Sequence, residues 1–69
     1  MSQKLTGTLR QIDLDKRTGR LLSAEGRKVE IYFGLREVES VKKCFRSGVA
    51  CVLTGQWVDG LFFDVWAVR

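Results

Sequence analysis

The sequence lacks histidine and proline altogether, and it contains only two cysteines among its 69 residues. Without histidine, neither a Ser-His-Asp triad nor a Cys-His pair can form. A structural zinc site normally uses four cysteine or histidine ligands, which two cysteines cannot supply. Disordered chains are usually rich in proline, so its absence favours a chain that is ordered almost from end to end. We therefore expect a folded domain without a zinc site.

Other signs of catalysis are also missing. The seven glycines are dispersed along the chain and do not form a phosphate-binding loop. Asp13 and Asp15 lie beside a predicted turn, where we interpret them as solvated or capping carboxylates; an acid–base or metal-binding pair is the alternative. A chain this short has no room for a deep cavity between domains. We expect no enzyme activity, no catalytic residue, no cofactor, no bound metal and no small-molecule substrate.

The chain contains no long hydrophobic run. Apolar stretches such as residues 49–53 are too short to span a bilayer. Residues 1–7 lack the apolar segment of a secretory signal. We therefore expect a cytoplasmic protein without a membrane partner, folded as a single domain over residues 1–69. In that setting we expect Cys44 and Cys51 to be reduced, mostly buried thiols, with one disulfide as the alternative.

Alternating apolar and polar residues predict strands in the first half of the chain. Leu5, Gly7 and Leu9 share one face, and Ile12 falls out of phase with them, which predicts a bulge near residues 10–11. A loop at residues 15–19 follows, in which Gly19 is free to adopt positive φ. The second and third strands are predicted at residues 20–24 and 28–33.

A helical pattern interrupts the strands after Gly34. Leu35, Val38, Val41 and Phe45 recur at spacings of three and four, which predicts one short helix of about three turns. Gly48 is suited to end this helix. Strand periodicity returns from residue 49 to residue 57 and again from residue 61 to residue 68. Between these two strands, Asp59-Gly60 predicts a tight two-residue hairpin turn.

The resulting order β-β-β-α-β-β predicts a mainly β fold, a five-stranded OB-type barrel with the helix between strands 3 and 4. An open sheet crossed by one helix and an SH3-like barrel are the alternatives. The patterns at residues 5–9, 28–33 and 52–55 resemble small OB-fold proteins, and the organisation is similar to S1 domains, cold-shock proteins and bacterial translation initiation factor one. Cold-shock proteins carry base-stacking aromatics on strands two and three; the second strand here has none.

Positive charge is concentrated in the first half of the chain. The sequence has 12 Lys and Arg residues against 8 Asp and Glu residues, a net charge of +4. Seven of the basic and four of the acidic residues lie within residues 1–33. A basic first half favours a surface that binds polyanions, and ordinary solubilising charge is the alternative.

The resemblance implies where such a surface would lie. In OB folds, oligonucleotides cross strands two and three and are flanked by the loops between strands one and two and between strands four and five. These loops correspond to residues 16–19 and 59–60. We therefore predict a site for single-stranded nucleic acid, either DNA or RNA. The predicted phosphate-binding and base-stacking residues are Lys16, Arg17, Arg20, Arg27, Lys28, Tyr32 and Trp57.

The last strand supports a second hypothesis, a protein-interaction module acting as a homodimer, adaptor or inhibitor. The strand carries large side chains on both faces, and if Asp64 faces water then Phe62, Trp66 and Val68 lie on the same outward face. An exposed stripe of this kind is typical of a contact surface, and burial in the core is the alternative. The pattern places this stripe on a different face from the predicted nucleic-acid site.

Overall fold

Five strands, one short 3₁₀ turn and one α-helix form the computed structural model, which describes residues 2–68. The first three strands are β1 (Gln3–Asp13), β2 (Thr18–Ser23) and β3 (Lys28–Phe33). The 3₁₀ turn Leu35–Glu37 leads into helix α1 (Val38–Ser47). The chain ends with β4 (Cys51–Val58) and β5 (Phe62–Val68). The third strand has the predicted bounds, whereas the second begins two residues earlier and the fourth begins two residues later.

The strands close into a barrel in the order β1-β2-β3-β5-β4. The long strand β1 pairs with β4 through its first half and with β2 through its second half. Strands β3 and β5 pair in parallel, and the other neighbours are antiparallel. Closure leaves no unpaired edge along the sheet. The predicted five-stranded OB-type barrel, with its helix between strands 3 and 4, is confirmed.

Side chains alternate along each strand, so every second side chain points into the interior of the barrel. The largest fully buried side chains, Phe63, Leu21, Ile31 and Leu53, come from four different strands. Helix α1 covers one end and packs against β1 and β5. The buried apolar core consists of Leu9, Leu21, Val29, Ile31, Phe33, Val41, Cys44, Cys51, Leu53, Phe63 and Val65.

Two bulges decide which side of the wall each side chain faces. In β1 the register shifts between Leu9 and Gln11, which confirms the predicted bulge. In β5, Val65 is paired with Gly55 of β4 and Ala67 is paired with Thr54. Trp66 lies between them without a partner in this register, so it is the extra residue of the bulge. The alternation therefore reverses after Trp66, and Val68 packs against the core. The prediction that Val68 shares the outward face of Phe62 is wrong for this reason.

Helix α1 buries part of the face that the spacing predicted, because Val41 is buried and Val38 packs against the core. Val41 and Cys44 are buried, whereas Leu35 is 75% exposed and Phe45 is 37% exposed. Leu35 lies in the 3₁₀ turn that precedes the helix, and Cys44 takes the inward position three residues after Val41. Gly48 ends the helix in the left-handed conformation, as predicted, with φ of 69°. Among residues 2–68, no helix has the length and apolar character needed to cross a membrane.

The turn between β4 and β5 is the predicted two-residue hairpin turn. Asp59 and Gly60 both have positive φ, 53° and 68°. The Leu61 N–H donates to the Val58 carbonyl over 2.9 Å, which closes the turn. Positive φ at both central residues gives the turn the twist that matches the flanking strands.

The loop between β1 and β2 is closed by Asp13. Its Oδ1 accepts hydrogen bonds from the backbone N–H groups of Asp15 and Lys16, over 3.0 and 3.1 Å. The interpretation of Asp13 as a capping residue is thereby confirmed. The positive φ of this loop lies at Arg17 (54°), so the prediction for Gly19 is wrong. Gly19 is instead buried, where an added Cβ would lie 2.8 Å from the Gln11 carbonyl oxygen.

Cys44 and Cys51 form a disulfide between the last turns of α1 and the start of β4. Their Cα atoms lie 6.5 Å apart, within the usual range for such bonds. The expectation of reduced thiols is therefore wrong, because the turn at Gly48 reverses the chain and brings the two buried residues together. The bond fixes the helix to the barrel wall.

We expect reduction of this disulfide to destabilise the barrel. The bond closes a loop across a sequence separation of 7 residues, and a loop of that size corresponds to about 2 kcal/mol of unfolding free energy. Urea unfolding followed by tryptophan fluorescence, with and without a phosphine reductant, measures the change. A double variant, Cys44→Ala with Cys51→Ala, should not respond to reductant. Coincident curves for the unaltered protein would contradict the expectation.

Gly55 should not tolerate a side chain. A Cβ at this position would collide with the backbone carbonyl of Asp64 and lie 3.2 Å from the Phe63 ring. We expect Gly55→Ala to lower the free energy of unfolding by about 1–3 kcal/mol. Gly34→Ala is the matched control, because Gly34 is exposed and its nearest neighbour is the flexible Glu37 side chain at 3.3 Å. Equal losses in the two variants, measured by urea unfolding, would refute this account.

Candidate nucleic-acid interface

The outer surface of the barrel carries two rows of side chains across β2, β3 and β5. One row consists of Arg20, Glu30 and Phe62, which are paired across the three strands. The adjacent row consists of Thr18, Tyr32 and Asp64. Residues in these rows alternate with core residues, so their side chains point away from the barrel interior. We call these six residues, together with Lys28 and Trp66, the β2–β3–β5 face.

Tyr32 and Phe62 form an aromatic pair on this face. Their ring centroids lie 4.2 Å apart, with an angle of 49° between the ring planes. The two residues are diagonal neighbours, since Tyr32 is paired with Asp64 and Phe62 with Glu30. Phe62 is half-buried, whereas Tyr32 remains 41% exposed. Phe62 thus supports the tyrosine ring and leaves part of it open to solvent.

Two shallow grooves meet at Arg20. The first, of about 350 Å³, is lined by Arg10, Arg20 and Lys28, with Gln11 and Leu22 between them. The second, also of about 350 Å³, lies toward the other end of β3. Its polar lining includes Gln11, Asp13, Lys16, Thr18, Arg20, Glu30 and Tyr32. The grooves share Gln11 and Arg20, so their lining residues run along a path from Lys28 past Arg20 to Tyr32.

The cations along this path form no ion pairs within the described part of the chain. Among residues 2–68, one pair of opposite charges has its nitrogen and oxygen atoms within 4 Å of each other. It joins Lys42 to Glu39 on α1, with 3.6 Å between Nζ and Oε1. Arg10, Arg20 and Lys28 therefore keep their charges unpaired at the surface. Such flexible, unpaired cations can contact phosphate groups.

The remaining predicted cations lie at the two ends of the face. Arg17 is in the β1–β2 loop, where its carbonyl accepts the Phe33 N–H over 3.0 Å and its side chain is exposed. Lys16 lies beside it. Arg27 is in the turn that precedes β3 and lines a separate groove of about 420 Å³ with Lys4 and Trp57. The structure thus places Arg20 and Lys28 on the face, Lys16 and Arg17 beyond one end of β3, and Arg27 beyond the other.

Trp57 has a different environment from Tyr32. Its ring meets Phe63 edge to face, with centroids 5.4 Å apart, and packs against the core. Its backbone N–H donates to Gln3 Oε1 over 3.0 Å. The side chain is half-buried and lies on the groove that contains Arg27. One face of the barrel therefore does not contain both of the predicted stacking residues.

The face and the grooves beside it also contain residues that were not predicted as part of this site: Arg10, Gln11, Thr18, Glu30, Phe62, Asp64 and Trp66. Arg10 and Gln11 reach the grooves because the β1 bulge turns both of them outward. The predicted bulge was a signal that could have identified them. Phe62 was assigned to the protein-interaction stripe, yet it contacts Tyr32. The prediction that the two hypotheses use different faces is wrong, because parallel pairing of β3 with β5 places Tyr32 and Phe62 on the same face of the barrel.

Trp66 marks the end of the face on β5. It is 45% exposed, and its Nε1–H donates to Asp64 Oδ2 over 3.4 Å. The bulge at this position separates it from the regular pairing of β4 and β5. Trp66 is therefore a second aromatic surface, held beside the carboxylate of Asp64.

The β2–β3–β5 face thus combines exposed aromatic rings with cation-lined grooves. The aromatic rings and the grooves follow from the strand pairing and the side-chain contacts of the chain itself. No protein-family model matches the chain, and no curated protein or solved structure is significantly similar to it.

Proposed function

We propose that this protein binds single-stranded nucleic acid, DNA or RNA, across the β2–β3–β5 face. Phosphate groups contact Arg10, Arg20 and Lys28, and a base stacks on Tyr32. The observation that carries the proposal is an exposed tyrosine ring, supported by Phe62 at 4.2 Å, next to a groove lined by unpaired cations. Lys16 and Arg17 extend the positive charge beyond one end of the face.

The physical requirements of single-strand binding support this choice. Proteins that bind single strands combine a positively charged groove, which follows the backbone, with aromatic side chains that stack on bases. Arg20 lines both grooves of the face, and the second groove also contains Tyr32. The charged track and the stacking surface are therefore adjacent. A duplex would hide the planes of its bases from Tyr32, so unpaired bases are the better ligand.

The protein-interaction hypothesis has weaker support. Of its three residues, Val68 packs against the core and Phe62 is half-buried under Tyr32. Trp66 is then the one large exposed side chain of the three. Stable protein interfaces bury about 800 Å² on each partner, which needs a broader apolar surface than this stripe provides. A second copy of the chain remains a testable partner, through the molar mass on size-exclusion chromatography.

Binding should weaken steeply with added salt. If Arg10, Arg20, Lys28 and one cation of the Lys16–Arg17 pair contact phosphates, the logarithm of the association constant should fall against the logarithm of salt concentration with a slope of about −3. Arg20→Ala should reduce that slope by about 0.7, because one phosphate contact is lost. Fluorescence anisotropy of a labelled oligonucleotide at several salt concentrations measures both slopes.

Lys43→Ala is the matched control for this titration, since it removes one positive charge from the exposed surface of α1. It should leave the slope unchanged. Absence of saturable binding at low salt would overturn the proposed function. Equal effects of the two variants would show that net charge, and not the face, governs binding.

Tyr32→Ala should weaken binding without changing its salt dependence. Loss of one stacked base costs about 1–3 kcal/mol, while the phosphate contacts remain. Tyr32→Phe keeps the aromatic plane and should bind nearly as well as the unaltered protein. The same anisotropy titration measures affinity, and circular dichroism checks that both variants are folded. Unchanged affinity in Tyr32→Ala would exclude stacking at this residue.

A further inference from the structure

Asp64 is surrounded by the aromatic side chains of the proposed binding face. It is paired with Tyr32 across the parallel strands, and Phe62 and Trp66 lie two residues away on either side along β5. The residue is half-buried. Neighbouring strands are about 4.8 Å apart, so the carboxylate is within reach of the edge of a base that stacks on Tyr32.

The carboxylate of Asp64 retains most of its hydrogen-bonding capacity. An ionised carboxylate accepts hydrogen bonds at about four lone-pair positions. One of these is used by Trp66, whose Nε1–H lies 3.4 Å from Oδ2. Within residues 2–68, no lysine or arginine forms an ion pair with Asp64. The group is therefore a charged acceptor at the centre of an aromatic surface.

A negative charge in this position is unsuited to the phosphate backbone, because like charges repel. It is suited to the N–H donors on the edge of a base. Proteins that recognise single strands form hydrogen bonds to the Watson–Crick edges of bases while aromatic side chains stack on their planes. Asp64 and Tyr32 are cross-strand neighbours, so a carboxylate acceptor and a stacking ring are adjacent on the face.

The bases differ in the donors that they present to a carboxylate. Guanine has two adjacent donors on its Watson–Crick edge, N1–H and the 2-amino group, which match the two carboxylate oxygens. Adenine and cytosine present one amino group next to a ring nitrogen that is itself an acceptor. Uracil presents one N–H between two carbonyl groups. Only guanine therefore satisfies both oxygens without placing an acceptor against the carboxylate.

We propose that Asp64 makes the site selective for guanine, by accepting hydrogen bonds from N1–H and the 2-amino group of a base that stacks on Tyr32. This inference rests on the proposed binding of single-stranded nucleic acid. Asp64 acts as a specificity-determining residue, and the cations of the face supply affinity that does not depend on sequence.

The test uses labelled eight-nucleotide uridine strands with one central guanosine, inosine, adenosine or cytidine, together with an all-uridine strand. Inosine keeps N1–H and lacks the 2-amino group, so it removes one of the two hydrogen bonds. The unaltered protein should bind the guanosine strand about 5- to 100-fold more tightly than the adenosine and cytidine strands. The inosine strand should have intermediate affinity.

Asp64→Asn separates recognition from a purely structural role. The amide oxygen of asparagine can still accept the Trp66 N–H, while the second carboxylate oxygen is replaced by a donor. We expect this variant to lose the preference for guanosine and to bind the all-uridine strand as well as or better than the unaltered protein, since one negative charge is gone. Glu39→Gln, which removes a negative charge from α1, is the control and should keep the preference.

The outcomes distinguish the inference from the function on which it rests. If no strand binds at low salt, the proposed function fails. If every strand binds with equal, salt-dependent affinity, the function stands and the selectivity for guanine is refuted. A preference that persists in folded Asp64→Asn also refutes the role of Asp64. The affinities for the guanosine and inosine strands are measured with the unaltered protein alone. Equal affinities for these two strands refute the selectivity even if the variant does not fold.

Discussion

Parallel pairing of β3 with β5 is the constraint on which the rest of this structure depends. It closes the barrel and buries Ile31 and Phe63 on its inner side, where they are paired across the two strands. On the outer side the same pairing sets Tyr32 beside Asp64 and brings the Phe62 ring against Tyr32. Because side chains alternate along both strands, one register determines the core and the candidate site together.

The two bulges decide which residues line the grooves and which residues pack in the core. Each adds one residue and reverses the side that the following residues face. In β1 the bulge turns Arg10 and Gln11 outward together, which adds them to the groove of Arg20. In β5 the bulge keeps Trp66 at the surface and returns Val68 to the core. The composition of the face thus depends on where the alternation is broken.

The face contains charges of both signs, and their positions differ. Arg10, Arg20 and Lys28 line a groove, with Glu30 opposite Arg20 on the neighbouring strand, whereas Asp64 lies among aromatic rings. Cations along the groove suit a phosphate backbone, and a carboxylate beside exposed rings suits the donors of a base. The net charge of +4 describes neither arrangement, because it does not record where on the surface each charge lies. The disulfide at the helical end lies in the core and forms no part of this face.

The order of elements, the β1 bulge, the helix end at Gly48 and the turn at Asp59-Gly60 could all be predicted from the sequence, because each follows from local periodicity or from the φ that a residue can adopt. The outward positions of Arg20, Lys28 and Tyr32 could be predicted as well, since alternation along a strand shows which side chains point away from the core. Other features could be seen only in the folded chain: Phe62 contacts Tyr32, Trp57 packs on Phe63, Val68 turns inward and Cys44 bonds to Cys51. These contacts depend on which strands become neighbours and in which register, and hydrophobic periodicity along one strand carries no information about its partner.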